Sequence, residues 1–188
     1  MSYNNLFDLL VLLLLVCAFI VGYLQGTVRR VLGIIAILFC VVLAGQIRGP
    51  FGDFLIGNWT QFPADYSRML GFALVFVFAT LAFTILIETY KDRSHIMPRH
   101  RYVDPIVGGL LGVFQAGVVI GAGILILDSY FRGTGIDIHP TEILFVRDFD
   151  HAVDVSETAQ IYRHDLIPTF FALIGGVFPQ DIRQLFPR

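Results

Sequence analysis

Four stretches of this chain are apolar at almost every position, with no alternation between polar and apolar residues. They cover about residues 6–24, 28–45, 69–87 and 106–127. A helix rises about 1.5 Å per residue, so crossing a hydrocarbon layer of ~30 Å takes about 20 residues. The first, third and fourth stretches reach that length. The second does so only if it starts near Thr27, which puts Arg29 and Arg30 in its first turn, where their stems can snorkel to the headgroups. In lipid each run must satisfy its own backbone hydrogen bonds, so helix is predicted for all four. The strand alternation of a membrane barrel is absent. No basic residue precedes the first run and no small-x-small site follows it, so it reads as a span and not as a cleaved leader.

The intervals between the runs differ. Residues 49–59 are apolar and aromatic but broken by Gly49, Pro50, Gly52 and Gly57. That pattern predicts a loop at the membrane interface, where Trp59 and the phenylalanines are stable. After the fourth run the first half of the tail is acidic, with Asp148, Asp150, Asp154 and Glu157 predicted to form a solvated face. Residues 166–178 are again apolar, too few to span, and predict an interfacial or re-entrant helix. The expected fold class is therefore an all-α membrane protein. It is a four-helix transmembrane bundle over residues 1–128, followed by an extra-cytoplasmic tail over residues 129–188 with an interfacial helix near 160–178.

Composition strengthens this picture: 56% of the 188 residues are hydrophobic and 15% charged, against about 25% charged in soluble domains. The net charge of -2 gives no basic field for nucleic acid. The basic residues do sort the loops. Arg29 and Arg30 follow the first run, and Lys91, Arg93, Arg99 and Arg101 lie between the third and fourth. The positive-inside rule places both sets in the cytoplasm, so both termini are expected to be extra-cytoplasmic.

Small residues recur at helical spacing. Gly22 and Gly26 close the first run, Gly33 lies in the second, and Gly108, Gly112 and Ala116 line the fourth, with Gly117 and Gly121 beside them. Such stripes let helix backbones approach closely in lipid, either within one chain or between subunits. Gln25 and Gln115 share a Gly-x-x-Gln-small setting and form a candidate intramembrane polar patch. Two readings are open: hydrogen-bonded glue between helices, or a site for a lipid headgroup or small solute.

These residues resemble the CvpA family, the colicin V production proteins. Family members commonly show an early Asp, matched by Asp8. A Gly-x-x-Arg-Gly-Phe-x-Arg-Glu pattern follows, in which Gly22, Gly26 and Arg29 match, with Gly33 as the later glycine. Gln25, Thr27 and Arg30 depart. In the fourth run, Asp104, Gly108 and Gly112 match, whereas Pro105, Leu111, Gln115 and Ala116 depart. Both positions where the family carries an Arg before a small residue hold glutamine here. The resemblance implies four membrane helices in the cytoplasmic membrane, an outer C-terminal helix, and links to toxin production or export and envelope homeostasis. It implies no established chemistry.

Candidate chemistry is sparse. The sequence holds no nucleophile–base pair, metal-ligand spacing or phosphate loop, and His95 and His100 fall in a basic loop. Neither enzyme activity nor a cofactor is expected. No ionisable residue lies at depth in the spans, as ion-coupled carriers require; Asp8 lies near one end and reads as an interface or cap residue. Beyond the lipid bilayer, the expected partners are other membrane subunits or a second copy. The leading functional expectation is an accessory or scaffold protein. A small channel or export helper, or an accessory subunit of an energy-transducing complex, are the alternatives.

Overall fold

The computed structural model describes residues 3–90, 103–132, 144–174 and 176. Helix α1 runs Tyr3–Gln25, α2 Thr27–Asn58, α3 Ala64–Tyr90 and α4 Val103–Phe131. Each of these is long and apolar enough to cross a membrane. The tail adds α5 (Leu144–Asp154), α6 (Glu157–Ile161), a π-helical turn (Tyr162–Leu166) and α7 (Ile167–Ile174). There is no strand among the described residues.

Helix α1 lies along α4 and α2 lies along α3, while contacts between α2 and α4 join the two pairs. A single residue separates α1 from α2. Gly26 has φ of 82° there, a left-handed conformation that glycine adopts at no steric cost. Its amide donates to the Gly22 carbonyl at 3.0 Å, closing α1. At the opposite corner Pro63 precedes α3, and its carbonyl accepts from Ser67 N at 2.9 Å.

The expected loop over residues 49–59 is instead the last part of α2, which continues unbroken to Asn58 with Pro50 inside it. Proline removes one backbone donor, but packing against α3 outweighs that loss. A Cβ on Gly52 would stand 2.8 Å from Arg68 Cα, and one on Gly71 would stand 3.3 Å from Gly52 N. The two helices are thus in near-backbone contact where the sequence signals a break. At 32 residues, α2 is about 48 Å long and outruns the hydrocarbon layer.

The core lies in the half of the bundle nearest the tail. It joins Phe7 and Val11 of α1, Ile37, Cys40, Val41 and Ala44 of α2, Tyr66, Met69, Phe72 and Phe76 of α3, and Ala122, Ile124 and Leu125 of α4. Outward positions such as Leu12, Leu13, Phe78 and Leu110 are exposed large hydrophobics, as suits a helix surrounded by lipid. The tail covers that same end. Val153, Ala159 and Ile167 join the core, so the tail is built into the bundle.

Candidate functional site: polar clasps at the two ends of the bundle

At the end distant from the tail, α1 and α4 meet through glycine. A Cβ on Gly22 would stand 2.3 Å from the Gly108 carbonyl oxygen, and one on Gly112 would stand 2.3 Å from the Ala18 carbonyl oxygen. Neither position has room for a side chain. Gly109 faces a softer neighbour, the Phe19 ring. The small residues singled out by spacing, Gly22, Gly26, Gly108 and Gly112, are therefore occupied within the chain. Gly117 and Gly121 face Tyr162 of the tail, whose hydroxyl lies 3.2 Å from a Cβ on Gly117. Ala116 is half-buried on α4.

Asp104 locks the α1–α2 corner onto α4. Its Oδ1 accepts from Thr27 N at 3.0 Å, and its backbone carbonyl accepts from Thr27 Oγ1 at 3.1 Å. A carboxylate from α4 thereby caps the N-terminus of α2, where backbone donors lack helical acceptors.

The two glutamines do not pair. Gln115 accepts from Arg30 Nη1 at 2.8 Å through its Oε1, and its amide packs on Gly33, whose Cβ would stand 2.9 Å from Nε2. Gln25 is half-buried near the end of α1. Arg30 is buried, and its Nε has no hydrogen-bond partner. Its neighbour Arg29 forms an ion pair with Glu88 of α3. Lys91, Arg93, Arg99 and Arg101 lie outside the described residues.

The other end carries a second polar centre, built on Asp128 and Arg163. Arg163, in the π-helical turn, forks onto Asp128 of α4, with Nε to Oδ2 at 3.0 Å and Nη2 to Oδ1 at 2.6 Å. Its third nitrogen, Nη1, donates to Asp154 at 2.5 Å. The Asp128 and Arg163 side chains are 0% and 2% exposed, so this is a fully desolvated bidentate pair. Arg132 stands 3.9 Å from Asp128, and Arg48 donates to the Ser129 carbonyl at 3.2 Å. Burial opposes the charge on Arg163, but its hydrogen bonds to Asp128 and Asp154 win and raise its pKa.

Asp150 is buried beside this pair, with Oδ1 lacking a hydrogen-bond partner. Burial, then the negative charges of Asp154 and Asp128, push its carboxyl up to about 7, against the pull of Arg163 and Arg132. The acidic face expected of the tail is thus corrected: Asp150 is buried and Asp154 is bonded, while Asp148 and Glu157 remain exposed. Nothing in the sequence marked Asp128, Arg163 or Arg48 as a set, because their contacts join distant segments. Asp8 adds a second clasp. It accepts from Ser156 Oγ at 2.6 Å and from Thr158 N at 3.3 Å, which caps the start of α6.

Among the described residues no group of three or more His, Cys, Asp or Glu side chains is arranged to hold a metal ion. A family model described as Colicin V production protein matches residues 7–141. No curated protein and no solved structure matches the chain. The family match runs from the start of α1 past the end of α4. It takes in the glycine crossing, the Asp104 cap, the Arg30–Gln115 pair and Asp128, and it stops short of Arg163. An inner-membrane bundle of four apolar helices carrying that match belongs to the colicin V production protein family.

Proposed function

We propose that the chain is a non-catalytic accessory or scaffold protein of the inner membrane that holds partner subunits through the surface of its docked tail. The Asp128–Arg163–Asp154 clasp carries this reading. It fixes a non-spanning segment to the bundle, so the outward face of that segment has a set position relative to the membrane. The exposed residues of that segment include Phe145, Asp148, His151, Ile161 and Leu166. Mixed aromatic and charged surfaces of this kind suit protein contacts. By the charge rule the tail is extra-cytoplasmic and the partner surface lies on the outer side of the membrane.

A channel has weaker support. The bundle interior is filled by Ile37, Cys40, Val41, Phe72, Phe76 and Ala122, which lends no support to a pore through a single copy. Purification of the tagged chain in mild detergent, followed by mass spectrometry, tests the proposal. A stoichiometric membrane partner is expected with the wild type and is expected to be lost with Arg163→Gln. Recovery of the wild type as a lone monomer would sink the reading.

A further inference from the structure

We propose that Arg30 and Gln115 form a binding site for a phosphate-bearing anion, filled in the membrane by the phosphodiester headgroup of an anionic lipid. Arg30 is 9% exposed, and its Nε is buried without a hydrogen-bond partner. Its bond through Nη1 goes to a neutral amide oxygen, Gln115 Oε1, at 2.8 Å. The described acids at this end are engaged elsewhere: Glu88 pairs with Arg29, and Asp104 caps Thr27. Among the described residues, Arg30 therefore carries a buried positive charge with no carboxylate against it, which is unfavourable until an anion arrives.

The remaining hydrogen-bonding capacity is mostly of donors. Gln115 turns its oxygen to Arg30, and its NH2 is a donor beside Gly33. Arg30 offers only donors. A site with a full positive charge and mostly donors selects an oxyanion over a cation or an amine. The planar fork of arginine matches two oxygens of one phosphate. Position selects the source. Arg30 is the fourth residue of α2 and follows Arg29, which pairs with Glu88 near the end of α3; basic residues in the first turns of a spanning helix are within reach of headgroup phosphates.

Thermal unfolding of the purified chain in neutral detergent tests this. The probes are phosphatidylglycerol, phosphatidylcholine, and inorganic phosphate added to phosphatidylcholine. The wild type is expected to melt several degrees higher with phosphatidylglycerol than with phosphatidylcholine. Arg30→Gln should lose that increment, and Arg132→Gln, at the opposite end, should keep it. Gln115→Glu gives Arg30 an internal carboxylate. This variant is expected to melt at or above the wild type in phosphatidylcholine and to gain nothing from phosphatidylglycerol, a result that a misfolded protein cannot mimic. Equal increments in all variants, or none in the wild type, would overturn the site. An increment from inorganic phosphate alone, lost in the same variants, would support the oxyanion chemistry and overturn the lipid as its source.

Discussion

Single residues decide how tightly the tail is held, and Asp150 shows it most directly. Unfolded, its carboxyl ionises near the ordinary 3.8; folded, burial beside Asp154 and Asp128 raises that to about 7. Between those values the folded protein holds the extra proton, so stability falls as pH rises from about 4 to about 7 and levels off above. Arg163 and Arg132 are the cations facing the same carboxyl and moderate the effect. The expected loss between about pH 5 and about pH 8 is on the order of 2–4 kcal/mol. Asp150→Asn should flatten the dependence and leave the variant the more stable form at the alkaline end. Thermal unfolding in detergent across that range measures both. None of this was legible in the sequence, where Asp148, Asp150 and Asp154 look alike. Only the fold distinguishes them, by burying the middle one and bonding the last. Arg30 and Gln115 were hidden for a related reason. They are 85 positions apart, and each departs from the family pattern at a place where the contact, not the local motif, carries the meaning.

At the level of helices, the sequence was a better guide. Unbroken apolar runs determine a spanning helix almost by themselves, because lipid offers no alternative partner for the backbone. Four-residue spacing of small residues likewise marked close helix approach, though not its partner, which the fold shows in the α1–α4 crossing. Its strength lies in backbone contact: a methyl on Gly112 would stand 2.3 Å from a carbonyl oxygen of α1. Gly112→Ala should therefore force the helices apart and cost about 1–3 kcal/mol. Gly123→Ala, on the same helix with nothing within 4 Å, should change stability by less than about 0.5 kcal/mol. Comparative unfolding of the two variants tests the difference, and equal losses would contradict the crossing as described. The end of α2 was misread because Pro50 and its flanking glycines are local breakers, whereas the deciding term is tertiary. Gly52 and Gly71 let α3 approach so closely that the helix persists through the proline.

Across the whole molecule, apolar packing is concentrated near the tail, while the far end is fastened by glycine contacts and polar clasps. The tail end is expected to lie outside the cytoplasm. A cysteine introduced at exposed Phe145, in a chain whose Cys17 is replaced by serine, should react on intact cells with a membrane-impermeant thiol reagent. Labelling only after the membrane is breached would reverse the orientation. The Asp104 cap has a consequence for biogenesis. It belongs to α4, yet it completes the first turn of α2, 77 positions earlier in the chain. As the nascent chain emerges, α1 and α2 enter the bilayer before either the cap or the lengthwise neighbour of α1 has been made. Insertion and assembly are thus separated in time, and the arrival of the fourth span is the event that converts a loose set of helices into a finished bundle.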